Sequence, residues 1–489
     1  MVNGRSKFVM RIAVLSCCVS MAWGQQEPPP GSAGPLPQSS AGQAPSQTGT
    51  NPPSQGEQGS QQEAPEMPPL TSGITLEPGS QGSSISYFLP SFQWSGFVDR
   101  VLSQRSEQNG TLTRSIYLGN IVLQQVRRRS QLNLDYAAGA QFYGRPVLTN
   151  TKVKPPGWGS VQRLSVAESI KLRRLELTLS DQFMYLPESS FGFPGFSGLQ
   201  SFGGGSGGAF LGQQVLLSQS LLPTESILSG SSRRYTEVVL GEVQYSPTTR
   251  STITATADAG VINFIDPGFV NSRLMSFNAG YNYRLTSHDE VSVSVVDYGF
   301  SYESTGGRSI VNRGFLFGYG HQFSSRFSFF FSGGPSEIKE AQSQGTFTEP
   351  LFLTNDSIRY RSRIADFDAR FTRYTSAGSG VFHGAETEWL RLSAGRKVLG
   401  KLHGAVDLGH AFNQSIQRQA GQQAQFESWE AGFRLSREFR EHASLYAQYQ
   451  YQYQVGSNSP CSAFGCSRVF GRHLVGAGVN WHGRPRRIR

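Results

Sequence analysis

The stretch "LYAQYQYQYQV", Leu445 to Val455, alternates without a break. Leu445, Ala447, Tyr449, Tyr451, Tyr453 and Val455 fall on one side of an extended chain, and Tyr446, Gln448, Gln450, Gln452 and Gln454 fall on the other. A period of two excludes an amphipathic helix. It requires a strand lying between two unlike environments, one apolar and one polar but uncharged. A sandwich strand with its apolar face in a core would satisfy this pattern, and so would a barrel strand with its apolar face in lipid.

The rest of the chain distinguishes the two. "SQLNLDYAAGAQFY" sets Leu132, Leu134, Tyr136, Ala138, Ala140 and Phe142 against Asn133, Asp135 and Gln141. "RLELTLSDQF" sets Leu175, Leu177 and Leu179 against Arg174, Glu176, Thr178, Ser180 and Gln182. "FNAGYNYRL" and "EAGFRLSRE" repeat the arrangement, with Phe277 to Leu285 and Ala431 to Leu435 on the apolar sides. Such stretches run to roughly 10–14 residues, whereas strands of soluble proteins centre on about five or six and a tilted membrane strand needs about 9–11.

The connections alternate as well. Tight turns fall at 127–129, 247–249, 287–289, 324–325, 400–401 and 440–441. Longer polar loops are expected near 144–160, 187–234, 265–272, 303–312, 413–425 and 456–468. Short turns at one end and long loops at the other are how outer-membrane barrels are built. A sandwich has no reason to sort its loops by length.

Pattern alone picks out 16 strands between residues 112 and 481. The alternation of ends then fails between Phe329 and Phe371, and a further strand in "PLFLTNDSIRYRS" repairs it. With "SYFLPSFQWSGFVDRVLSQ" at 86–104 as the first strand, the count is 18. The expected fold is therefore all-β, a transmembrane antiparallel up-and-down barrel of 16–18 strands with 18 preferred, following a disordered N-terminal segment. Lipid covers the apolar side, and closure leaves no unpaired edge in it.

Composition agrees. Only 16% of the residues are charged while 12% are aromatic, a balance suited to strands with one greasy and one uncharged polar face. The formal net charge of +10 is spread out, and only "VRRRS" and the terminal "GRPRRIR" are dense. Neither sits in a basic helix or beside stacked aromatics, so nucleic acid is not an expected partner.

Residues 1–24 read as a secretory signal peptide: basic "MVNGRSKFVMR", apolar "IAVLSCCVSMAW", then small residues with a cut after Gly24. Lipidation at Cys17 is the alternative, opposed by Arg11 before it and by apolar residues continuing to Trp23. Residues 25–84 are rich in Pro, Gln, Ser and Gly and have almost nothing to bury, so a disordered periplasmic linker is expected there. The barrel takes 85–481, and a basic tail occupies 482–489.

Together the export signal, the dyad strands and the last strand "RHLVGAGVNW" make the chain similar to bacterial outer-membrane β-barrel proteins of the porin-like class. The resemblance implies an outer-membrane location, lipid and the barrel-insertion machinery as partners, and a structure that is often oligomeric. Members of that class usually end on an aromatic residue read by the insertion machinery. Trp481 takes that place, but "HGRPRRIR" follows it.

No catalytic, cofactor or metal site emerges. "GGSGG" at 204–208 has the spacing of a nucleophile elbow without the strand and helix such an elbow needs, and "GRKVLGKL" has Leu402 where a phosphate loop has Ser or Thr. Cys461 and Cys466, close together and exported, are expected to form a disulfide, since their loop lacks further zinc ligands.

The candidate lumen lining is Asp135, Arg174, Glu176, Asp366, Asp368, Arg370, Arg391, Glu430, Arg434, Gln448, Gln450, Gln452 and Gln454, because charges on spanning strands must face water or one another. The 187–234 loop, with Phe191, Phe193, Phe196, Phe202 and Phe210, is the candidate plug or constriction. A diffusion channel for small polar solutes follows. The alternatives are an export conduit for a polysaccharide or similar polymer, whose sugar hydroxyls would suit the Gln and Tyr row, and a barrel-anchored surface binding or adhesion protein.

Overall fold

The computed structural model describes residues 86–103, 109–144, 157–186, 233–265, 269–302, 309–342, 345–362, 364–378, 380–419, 422–440, 442–457 and 469–488. All of them belong to the compact unit Ala64–Arg489. The strands expected from the alternation form one antiparallel sheet: β1 (Tyr87–Ser103), β2 (Gly110–Val126), β3 (Ser130–Tyr143), β4 (Trp158–Lys171), β5 (Leu175–Leu186) and β6 (Arg234–Tyr245). They continue with β7 (Ser251–Phe264), β8 (Ser272–Arg284), β9 (Asp289–Tyr302), β10 (Ser309–Ser324), β11 (Phe327–Gln342) and β12 (Gly345–Arg361). The last six long strands are β13 (Ala365–Ser376), β14 (Ala385–Leu399), β15 (Leu402–Gln419), β16 (Gln422–Arg440), β17 (Ala443–Gly456) and β18 (Val469–His482).

Each strand pairs with the next, and β1 pairs with β18 from Ser91–His482 to Ser103–Phe470. The sheet therefore closes into an 18-stranded barrel. Both strands required by the parity argument are present, as β12 and β1. A two-residue strand, β19 (Arg486–Arg487), lies against Tyr87 and Phe88 within the segment expected as a tail. No helix among the described residues is long and apolar enough to cross a membrane.

Loop length sorts by end except between β11 and β12, which only 343–344 separate, and two of the expected loops differ. The loop expected at 413–425 is instead a hairpin, in which β15 runs on to Gln419 and β16 starts at Gln422. Its sequence is polar but for Ile416 and the small Ala420, Gly421 and Ala424, too few apolar residues to show the alternation by which strands are read, yet its backbone pairs with a register shift between Gln414 and Arg418. The loop expected at 303–312 is shorter, because β10 begins at Ser309.

β17 separates the exterior of the barrel from its interior. Leu445, Tyr449 and Val455 face outward and are 47, 40 and 36% exposed, whereas Gln448, Gln450, Gln452 and Gln454 face inward and are 3–4% exposed. The same division holds around the wall, with Phe92, Trp94, Tyr281, Phe315, Phe352 and Phe433 among the exposed outer residues. Outward charges gather toward the long-loop end. Asp297 stands opposite Arg313, Arg313 opposite Glu337, and Arg373 opposite Glu388, and this row marks the upper limit of the apolar belt.

The interior departs from expectation. Transmembrane barrels normally carry a polar lumen. Here β6–β12 turn Val238, Ile262, Phe300, Tyr302, Ile310 and Leu353 inward into a packed apolar cluster. The other half of the wall remains polar and ionic.

Candidate functional site: the lumen and its in-turned segment

What fills the apolar half is the connection between β13 and β14. The pairing of β13 with β12 ends at Thr354–Arg373, while its pairing with β14 continues to Ser376–Ala385. Above Arg373 the β13–β14 hairpin therefore leaves the wall and leans inside. Three tethers hold it there: the Tyr298 hydroxyl accepts from the Thr375 N–H (3.2 Å), Asn312 Nδ2 donates to Thr375 Oγ1 (2.7 Å), and the Val270 N–H donates to the Gly380 carbonyl (2.9 Å).

The sequence of the turn explains why it fits. Gly378, Gly380 and Gly384 take φ of 81°, 73° and 81°, a region that side-chain-bearing residues avoid. Gly380 lies on the Phe264 ring, where an added Cβ would stand 2.5 Å from Cε2. Between the glycines, Phe382 stacks on Phe426 of β16 with centroids 5.3 Å apart, and His383 meets the Tyr302 ring edge-on at 5.3 Å. Val381 and Phe382 are buried, with Ala385, Ala424 and Phe426 around them. A second bridge across the interior runs from Gln417 Nε2 on β15 to Glu340 Oε1 on β11 at 2.7 Å.

The polar half carries its charges in cross-strand pairs. Arg163 of β4 donates to both oxygens of Asp135 on β3, at 3.2 and 3.1 Å. Arg472 of β18 grips Asp99 of β1 across the closing seam, with Nε at 2.9 and 3.1 Å from the two oxygens. These two pairs are buried and hold the wall. On β12–β15 the pairs are wetter: Arg359 and Asp368, 3.4 Å apart, each keep 29% of the side chain exposed, and Arg391, 2.9 Å from Asp407, keeps 20%. Arg370 stands directly opposite Arg391 in register, so two cations share this stretch.

The residues singled out from sequence distribute as follows. Asp135, Asp368, Arg391 and the Gln448–Gln454 row face inward, and Glu430 lies buried on the inward register of β16. The Arg434 guanidinium sits over the Tyr446 ring at 4.5 Å. Glu176 and Asp366 lie at the short-turn end, where Glu176 meets Lys171 at 3.3 Å. Arg174 occupies the turn before β5, outside the strands. Phe191, Phe193, Phe196, Phe202 and Phe210, and likewise Cys461 and Cys466, lie outside the described residues.

The in-turned 377–384 segment was not singled out from sequence. Its signal was nevertheless there: three glycines flanking the apolar pair Val381–Phe382, in what should have been a polar loop. The histidines do not converge, since His410 pairs outward with Glu427 at 2.9 Å while His383 packs inside. Among the described residues no group of His, Cys, Asp and Glu is placed to hold a metal ion.

No family model matches the chain, and no curated protein matches it. Among solved structures, OccK2 (OpdF) of Pseudomonas aeruginosa is 10% identical, with 81% of this chain and 98% of that chain covered at a TM-score of 0.42. The outer membrane protein OpdK of the same organism is 11% identical, covering 81% and 99% at 0.41. OccAB4 of Acinetobacter baumannii is 8% identical, covering 82% and 100% at 0.42.

Proposed function

We propose that the barrel is an outer-membrane channel for small polar solutes, and that solutes pass along the polar half of the lumen past β12–β16. The supporting observation is the difference in wetting between the halves. On the inward faces of β12–β14, Arg359, Asp368 and Arg391 keep 29, 29 and 20% of their side chains exposed, whereas Phe300, Tyr302 and Ile310 across the interior are sealed at 1–2%. A guanidinium and a carboxylate keep such exposure on the inner wall only where water reaches them.

In this mechanism the paired strands remove the bilayer barrier, while pore width and the arginines Arg359, Arg370, Arg391 and Arg434 act on the passing solute. The 377–384 segment narrows the lumen by occupying its apolar half. A polymer conduit along β17 has less support, because the Gln row is packed rather than open.

Reconstitution into liposomes tests the proposal. Swelling in neutral sugars is expected at a rate that falls with sugar size. Liposomes carrying the folded chain that swell no faster than empty ones would overturn it.

A further inference from the structure

Two dense basic runs, "VRRRS" and "GRPRRIR", play no part in the lumen. They lie near opposite ends of the barrel sequence, yet the fold sets them on the two sides of β1. Tyr87 and Phe88 pair with Gln124 and Leu123 of β2 on one side and with Arg487 and Arg486 of β19 on the other. Ser86 fastens both runs. Its hydroxyl accepts from the Val126 N–H at 3.0 Å, directly before Arg127, and its carbonyl accepts from the Ile488 N–H at 3.0 Å, directly after Arg487. The Gly483 N–H donates to the Pro90 carbonyl at 2.7 Å, so the tail is anchored at both ends. Two strand spacings, about 10 Å, separate the tail from β2.

This corner is cationic without local compensation. None of residues 86–92, 120–134 and 479–488 is Asp or Glu, while Arg127, Arg128, Arg129, Arg484, Arg486 and Arg487 are all exposed. Arg484 Nε leans on the His442 ring, 3.3 Å from its Nε2. The neighbouring turn between β16 and β17 carries both signs, in Arg437, Glu438 and Arg440. At the long-loop end, by contrast, outward charges are paired, Asp297 with Arg313 and Glu386 with Arg373. Like charges gathered this closely repel one another, and an anion among them relieves the repulsion.

Position along the strands identifies the anion. Phe92 and Trp481 are direct cross-strand partners on the outward face, 45 and 46% exposed, near the short-turn ends of β1 and β18. Aromatic side chains at the ends of spanning strands mark the headgroup level. Phe88 lies four residues nearer the short-turn end than Phe92 and on the same face, and Arg486 stands opposite Phe88. Short turns of outer-membrane barrels face the periplasm, so the corner meets the periplasmic leaflet.

We propose that this corner binds the phosphodiester headgroup of an anionic phospholipid in the periplasmic leaflet. Arg128 and Arg129 reach it from the β2–β3 turn, and Arg486 and Arg487 reach it from the tail. Planar guanidinium groups match paired phosphate oxygens. The bound headgroup ties the start of β1 to the end of the chain at the seam where the barrel closes. The site needs the barrel to lie in the outer membrane, but does not need solutes to cross it.

Trp481 fluorescence tests the proposal. The full mature chain, with Trp94→Phe, Trp158→Phe, Trp389→Phe and Trp429→Phe, is folded into phosphatidylcholine vesicles that contain a minor share of lipid with brominated acyl chains. Brominated phosphatidylglycerol is expected to be favoured beside Trp481 over brominated phosphatidylcholine by about fivefold or more, the effect of one guanidinium near an anionic surface. A chain keeping only Trp429, near the long loops, should show no such preference. Arg128→Gln, Arg129→Gln, Arg486→Gln and Arg487→Gln together should abolish it at Trp481, and Lys at the same positions should keep most of it. In the chain with all four arginines, preference should decline as salt rises toward 1 M, where the screening length is about 3 Å.

Equal quenching by the two lipids would overturn the proposal, as would a preference that survives the glutamine substitutions or 1 M salt. Sedimentation with purified peptidoglycan covers the other polyanion at this level. Binding there that depends on the four arginines, with no lipid preference, would assign the corner to the cell wall instead. Single-channel conductance of the same preparations reports separately on solute passage.

Discussion

The ring of Phe97 on β1 lies across Gly476 on β18, its direct cross-strand partner, so that a Cβ at 476 would stand 2.5 Å from ring Cε1. This contact sits on the seam where the last strand meets the first. Phe97 packs there with Ile116, Leu118, Val161 and Leu474, a second apolar cluster inside the polar half of the barrel. Closure thus rests on packing as well as on the ladder.

Gly476→Ala should cost about 1–3 kcal/mol by overpacking. Phe97→Ala in the same chain should recover part of that loss, because the ring that collides with the new methyl is gone. Urea unfolding in lipid vesicles, run as a double-mutant cycle, checks the coupling.

Asp99 and Arg472 form the other seam contact, both buried. Asp99→Ala leaves a guanidinium without its carboxylate and is expected to destabilise by about 3–5 kcal/mol. Replacing both, as Asp99→Leu with Arg472→Met, should cost less, since Arg472 is then not stranded. The heat needed to shift the folded band on a gel gives the ranking.

Arg370 and Arg391 face one another on neighbouring strands. Arg370→Glu or Arg391→Glu should move the reversal potential in a KCl gradient toward cation preference, while Arg373→Glu, on the outer face, should not. The shift should shrink as salt rises toward 1 M, where the screening length falls to about 3 Å.

Much of this architecture was legible in the sequence because lipid on one side and polar groups on the other impose a strict period of two. Strands such as β3, β5 and β17 carry that period in Leu, Tyr and Gln, and parity of ends then required β1 and β12. The β15–β16 extension was missed because Ile416 is the one large apolar residue between Asn413 and Gln425, too little to show the period, although it packs into the inner cluster. The in-turned 377–384 segment was missed for a different reason. Its placement depends on contacts with Phe264, Tyr298 and Asn312, which lie far away in sequence. Which charges pair and which stay wet depends on register, so the pattern could place Asp135 and Arg391 inward without showing that Asp135 is buried against Arg163.

Single-tryptophan chains report on what covers each face. In vesicles with brominated acyl chains, fluorescence from Trp94 or Trp429, both exposed on the outside, should be strongly quenched. Trp389, on the inward register of β14, should be quenched far less. Equal quenching would mean the faces have been exchanged.

Single-channel recording in planar bilayers is the most direct test of a water-filled lumen narrowed by the β13–β14 turn. The full mature chain should give discrete ohmic steps, and a chain with 378–383 replaced by two glycines should give larger ones. Absence of steps from both chains would contradict the channel, and steps of equal size would contradict the constriction.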